Sequence, residues 1–215
     1  MVGKKGKFIV LEGIDGCGKS TQIENIANYL FSKDKSNHIL ITREPTMISS
    51  YGKKVRDLLK KQKNIEKNAA LFTRLYVNDR KFHIKKMIIP AMKQGCIVIS
   101  DRYKYSTFAY QLSQGDKLEN LIKLHKGLLV PDLVLILDIS EEESIKRTSD
   151  QKEKELFEKK EFLRKVKANY LKMKELFPHE NIVIIDGERS KEEVFDSIKK
   201  EIDRLFEQVR SKSKK

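Results

Sequence analysis

Five short runs of apolar residues punctuate the chain, FIVLEG (8–13), HILITREP (38–45), CIVISDR (96–102), LVLILDIS (133–140) and IVIIDGE (182–188). Each is rich in β-branched residues and each is separated from the next by a longer stretch whose apolar positions recur at helical spacing. That alternation predicts an α/β fold, five parallel strands joined by helical crossovers that cover both faces of the sheet. The continuous apolar run Val134 to Leu137 fits a strand buried on both sides. In such a sheet ligands bind beyond the carboxyl ends of the strands. The residues just after each run are therefore the ones to search for chemistry.

No repeat, low-complexity linker or Pro/Gly-rich break interrupts the pattern, so residues 1–209 read as one domain of ordinary length among the 215 residues of the chain. The basic end Arg210 to Lys215 reads as a disordered tail. The N-terminal apolar run stops at Glu12, too soon for a secretory signal, and no later run approaches the roughly 18 residues of a membrane span. These features predict a cytoplasmic protein. Cys17 and Cys96 have neither metal-site spacing nor enough company for a disulfide framework, and free thiols are expected. The net charge of +14 fits a nucleic-acid partner, an anionic small substrate or a merely lysine-rich surface. Its distribution favours a solvated surface, because lysines alternate with glutamates along helical stretches such as EKELFEKKEFLRKVKANYLKMKE. His38, His83, His125 and His179 share no motif and read as structural or surface residues.

The strongest chemical signal follows the first run. Gly13, Ile14, Asp15, Gly16, Cys17, Gly18, Lys19, Ser20 and Thr21 match the Walker A spacing, with a strand before them and a helical stretch, QIENIANYLF, after. Glycines let the backbone turn its amides inward, and the helix that follows offers its positive end to phosphates. Lys19 is placed to reach the β/γ-phosphates of ATP and Ser20 to ligate Mg²⁺. Asp15 is unfavourable beside a polyphosphate, so it is expected to face an acceptor such as a sugar hydroxyl. No base-reading motif of a GTPase is present.

Other strand ends narrow the reaction. Asp101, after Ile97, Val98 and Ile99, stands at the Walker B position and is a second candidate for the magnesium shell. Arg102 beside it and Arg43 after the second run place two guanidiniums at the mouth of the sheet. A nucleoside monophosphate acceptor is mostly a dianion at neutral pH and needs no general base. It needs cations instead, since unit charges 4 Å apart repel by about 4 kcal/mol at an effective dielectric of 20. Phe72, Tyr76 and Arg80 recur at helical spacing on one face, where Tyr76 can stack on a base and Arg80 can donate to a ring carbonyl.

Together these segments resemble the thymidylate kinase family: FIVLEGIDGCGKSTQ its phosphate loop, TREP its second-strand signature, NDR its base-binding helix and SDRYKYSTFAYQ its DR(Y)…AYQ segment. The resemblance spans about Lys7 to Gly187 and implies a P-loop NTPase fold, a sheet ordered 2-3-1-4-5, a homodimer and transfer of the ATP γ-phosphoryl to dTMP. It implies that Lys19, Arg43, Arg102 and Asp101 serve catalysis and that Asp15 accepts from the 3′-hydroxyl. It further implies that Arg43 and Arg102 hold the transferring and acceptor phosphates. Tyr76 and Arg80 would take the thymine, and Ser106, Tyr110 and Gln111 match positions near base and sugar. The pattern departs at the helical lid, about 147–160, where Leu156 stands in place of the expected lid arginine. Arg147, Lys152 and Lys154 are the candidates to replace it. Kinases of dUMP or UMP remain alternatives within the class, because one methyl group discriminates by only about 10–200-fold. A nucleic-acid-binding ATPase is the alternative outside it, and the interspersed charge argues against a specific nucleic-acid partner.

Overall fold

The computed structural model describes residues 6–60, 69–148 and 153–212. Five strands, β1 (Lys7–Glu12), β2 (Ile39–Arg43), β3 (Ile97–Asp101), β4 (Leu133–Asp138) and β5 (Ile182–Asp186), form one sheet in the order β2-β3-β1-β4-β5. All four pairings are parallel. The central strands β1, β3 and β4 are buried along nearly their whole length, as their unbroken apolar runs require. The edge strands differ: β2 and β5 leave Ile41 and Ile184 exposed.

Ten helices surround the sheet among the described residues: α1 (Lys19–Lys33), α2 (Ser50–Lys60), α3 (Ala69–His83), α4 (Ile89–Lys93), α5 (Lys104–Ser113), α6 (Leu118–His125), α7 (Glu141–Thr148), α8 (Glu153–Leu171), α9 (Met173–Leu176) and α10 (Lys191–Lys212). A five-residue π-helical segment, Ile84–Ile88, joins α3 to α4 just before Pro90. Proline lacks the amide that a continuing α-helix would use, and the wider turn accommodates that gap. Helices α1 and α10 pack against each other and the sheet, while α3, α5 and α8 pack as a second group. Helix α10 runs on to Lys212, so the expected tail is helical at least through Arg210 to Lys212. Val194, Ile198, Ile202 and Leu205 bury its apolar stripe.

The hairpin of α2 and α3 is fixed by a buried carboxylate. Asp79 accepts from the Thr46 amide at 2.7 Å, from the Thr46 hydroxyl at 2.6 Å and from the Ser49 hydroxyl. Gly52 fits against this knot with no room to spare: a Cβ there would lie 2.1 Å from the Thr46 carbonyl oxygen and 2.7 Å from Asp79 Oδ1. Gly52→Ala is expected to cost about 1–3 kcal/mol by overpacking, read as a lower urea midpoint with an unchanged m-value.

Candidate active site

The phosphate loop is built by the abrupt end of β1 and the start of α1. Gly13, at φ 135, packs so tightly that a Cβ would sit 2.5 Å from the Leu137 carbonyl oxygen, whereas Gly18, at φ 93, faces open space where a phosphate can approach the backbone. Ile14 and Cys17 turn into the hydrophobic core at 2 % and 3 % exposure, so any share they take in phosphate binding is through backbone alone. Lys19 is buried, and its ammonium donates to the carbonyls of Gly13 and Ile14, each at 3.1 Å. Helix α7 braces the loop from the other side. The Ser144 hydroxyl donates to Asp15 O at 2.7 Å and Arg147 Nη1 donates to Gly16 O at 3.1 Å.

Two adjoining cavities, each of about 410 Å³, open beyond the strand ends. One is lined by the loop and the start of α1, including Gly18, Lys19, Ser20 and Thr21 together with Arg147. The other is deeper and more apolar, and includes Phe72, Tyr76, Arg80, Tyr110 and Gln111 in its lining. Asp15, Arg43, Asp101 and Arg102 line both. These four stand at the junction because β2 and β3 end side by side, with Arg43 paired to Asp101 in register. Every nominated residue whose side chain is described thus comes to one of the two cavities, apart from the inward-facing Ile14 and Cys17 and the Gly13 turn.

At the junction Arg102 has a left-handed backbone, φ 71, a conformation that costs about 1–2 kcal/mol in a residue with a Cβ. Its Nη2 donates to Asp15 Oδ1 at 2.5 Å, its Nη1 to Ser106 Oγ at 3.0 Å and to Tyr170 OH at 3.1 Å, and its guanidinium lies over the Tyr110 ring. For Asp15, partial desolvation raises the pKa, but the nearby Arg102 and Lys19 cations outweigh it and hold the carboxyl below its ordinary value. Burial pushes the Tyr110 phenol up to about 12, against the pull of Arg102, so it stays neutral. Asp101 Oδ1 is buried without a hydrogen-bond partner among the described residues. An orphaned carboxylate oxygen beside the exposed Ser20, in the cavity that the phosphate loop lines, is the donor set a hard divalent cation takes. Among the described residues no cluster of three or more His, Cys, Asp or Glu could hold a metal.

Three nominated side chains do more than their motif suggests. Arg80 is 1 % exposed and spends most of its donors inside the protein. Nε donates to Glu44 at 2.7 Å, Nη1 to His125 Nε2 at 2.8 Å, and Nη2 to Tyr103 O at 2.9 Å and Thr107 Oγ1 at 3.1 Å. Ser106 turns to Glu12, Arg102 and Tyr170. Gln111 donates to Ala69 O at 3.2 Å and Thr73 Oγ1 at 3.1 Å, tying α5 to α3. Lys152 and the side chain of Lys154 lie outside the described residues. Sequence reasoning missed Glu12, Glu44, Arg56, His125 and Tyr170. The ionisable residue closing the buried strand β1 was the available signal for Glu12. Arg56 lines the deeper cavity, donates to Pro45 O at 2.7 Å and keeps a buried Nε without a hydrogen-bond partner among the described residues.

Comparison with known proteins agrees with this geometry. The thymidylate kinase family model matches residues 11–198. The chain belongs to the thymidylate kinase family. It is 38% identical to a probable thymidylate kinase of Pyrococcus abyssi, over 90% of this chain and 94% of that one. It is 42% identical to a thymidylate kinase of Prochlorococcus marinus, over 94% and 98%. The crystal structure of thymidylate kinase from Ehrlichia chaffeensis superimposes with a TM-score of 0.73 at 27% identity, covering 92% of this chain and 98% of that one. The family, the five-stranded order and the junction of two cavities are thus mutually consistent.

Proposed function

We propose that the chain transfers the γ-phosphoryl group of ATP to dTMP, yielding dTDP and ADP. The observation that carries this reading is the pair of cavities sharing Asp15, Arg43, Asp101 and Arg102. One cavity is built for a polyphosphate and the other for a base and sugar, and their boundary is where a phosphoryl group would pass. ATP lies along the loop with its phosphates at Lys19 and the start of α1. Ser20 and Asp101 would hold Mg²⁺, which would supply positive charge to the β- and γ-phosphates. In the other cavity Tyr76 stacks on thymine, Arg80 supplies its remaining N–H to a ring carbonyl, and Asp15 accepts from the 3′-hydroxyl. Ser106, Tyr110 and Gln111 complete the wall around base and sugar.

Transfer then requires positioning and charge compensation. The dTMP phosphate, already a dianion, attacks in line, and Arg43 and Arg102 offset the repulsion between the two anions. Membership of the family supports a homodimer, and the reaction belongs in the cytoplasm. No helix among the described residues is long and apolar enough to cross a membrane.

The decisive experiment is ADP release from Mg-ATP with dTMP, dUMP, UMP, dCMP, CMP, AMP and GMP as acceptors. dTMP is expected to be the best, with dUMP behind it by about 10–200-fold for one methyl group. Faster turnover of AMP or CMP would overturn the reading. Arg147 is assigned the part of the absent lid arginine, supported by its place in the phosphate cavity. Arg147→Ala is expected to lower kcat about 10–100-fold while leaving the KM for dTMP unchanged, the signature of an interaction made mainly in the transition state. Unchanged turnover would move that role to Lys152 or Lys154.

A further inference from the structure

Glu12 closes β1 and is wholly buried, yet four donors converge on its carboxylate. The Tyr103 amide reaches Oε1 at 2.7 Å and the Ser106 amide at 3.2 Å, while the Ser106 hydroxyl and the Tyr170 hydroxyl, the latter at 3.0 Å, reach Oε2. Both hydroxyls also accept from Arg102 Nη1. Ser106 Oγ and Tyr170 OH lie 2.9 Å apart, and each has a single hydrogen to give. A carboxylate oxygen can only accept, so the hydrogens go to Glu12 and the oxygen lone pairs face the guanidinium. The result is a link from Arg102 to the buried Glu12, bridged by two hydroxyls from different helices, α5 and α8.

The same carboxylate fixes the backbone that presents Arg102. The left-handed turn is held by the Arg102 amide donating to Leu11 O at 2.9 Å, by the Ser100 hydroxyl donating to Arg102 O at 2.8 Å, and by the Tyr103 amide on Glu12. A glutamine at this position would bring its own N–H₂ against two hydroxyls already committed as donors, and they would have to turn away from their present partners.

We propose that Glu12 is a positioning residue for Arg102, acting through Ser106 and Tyr170, and that Tyr170 thereby couples the placement of α8 to the cation at the acceptor phosphate. This rests on the reading of Arg102 as the cation that holds the dTMP phosphate. The alternative role for Glu12 is simple capping of α5, whose N-terminal amides it accepts from; that role would show in stability alone.

The test is steady-state kinetics of Tyr170→Phe, Glu12→Gln and the double variant, with each substrate varied, beside Arg102→Ala and thermal melts. Tyr170→Phe keeps the buried ring and its edge contact with Tyr110, so it folds even if Glu12→Gln does not, and it then decides alone. Each single variant is expected to lower kcat/KM for dTMP about 10–100-fold with the KM for ATP within about twofold of the parent, since misplacing a clamp is costly without touching the donor site. The double variant should lose less than the product of the two, because both act on one bridge. Folded variants with parent values for dTMP, or losses shared equally by both substrates, overturn the proposal while Arg102→Ala remains crippled. If Arg102→Ala itself transfers normally, the reading of Arg102 fails and the positioning role falls with it.

Discussion

Replacing Arg102 with alanine is expected to lower kcat/KM for dTMP about a thousandfold while leaving the affinity for ATP nearly unchanged. Two unit charges about 4 Å apart at an effective dielectric of 20 interact by about 4 kcal/mol, and each ~1.36 kcal/mol is a factor of ten in rate. One lost guanidinium at the phosphate therefore accounts for about three decades. The guanidinium is held on three sides before any substrate arrives, by Asp15, by the Ser106 and Tyr170 hydroxyls, and by the Tyr110 ring. Little ordering remains to be done when the acceptor binds. Arg102→Lys keeps the charge but loses the fork that reaches Asp15, Ser106 and Tyr170 at once, and an intermediate loss of about tenfold to a hundredfold is expected. Coupled ADP release gives the kinetic values, and equilibrium titration with ATP gives the donor affinity. A parallel collapse of ATP binding in Arg102→Ala would place this arginine on the donor side of the junction.

The parts of this site that were legible in the sequence are those fixed by local rules. Apolar runs marked all five strands because the three central ones are buried on both faces, and the glycine spacing marked the phosphate loop because each turn is a backbone requirement. The strand order came only with the family resemblance, since periodicity does not say which strands are neighbours. Less legible were the contacts between distant segments. Arg80 reads as a base-binding arginine from its place in NDR, but its buried partners Glu44 and His125 stand 36 and 45 residues away. Tyr170 meets Glu12 across 158 residues. No periodicity encodes such a meeting. The reading of Arg210 to Lys215 as a disordered tail rested on charge alone; α10 is described as far as Lys212, and residues 213–215 lie outside the described residues.

The buried cluster around Arg80 is where a single substitution should cost most in stability. Glu44, 5 % exposed, accepts from Arg80 on one oxygen and from His83 Nδ1 at 3.0 Å on the other, and His83 Nε2 meets the Thr42 hydroxyl at 2.8 Å. On the far side of the guanidinium, His125 donates Nδ1–H to Leu121 O at 2.7 Å, which leaves Nε2 to accept from Arg80. Burial and the Arg80 cation push the His125 pKa down to about 3, so the ring is neutral and fit for that role throughout the working range. Arg80→Met keeps the stem and removes the charge. It strands the Glu44 carboxylate and leaves His125 Nε2, Tyr103 O and Thr107 Oγ1 without their donor.

Breaking a buried pair from one side costs about 3–5 kcal/mol, a large part of the ~5–15 kcal/mol that holds a domain folded. At about 2–4 °C per kcal/mol for a chain of this size, Arg80→Met is expected to melt on the order of 10 °C lower. Its KM for dTMP should rise with the KM for ATP unaffected, because the cluster borders only the deeper cavity. Adding Glu44→Gln distinguishes a stranded charge from lost packing. With both charges gone no buried charge is left unpaired, so the double variant should be more stable than the sum of the two single losses, by about 1 kcal/mol or more. Strict additivity would mean that Arg80 stabilises the fold by filling space, and that its ion pair with Glu44 serves only to aim it at the base.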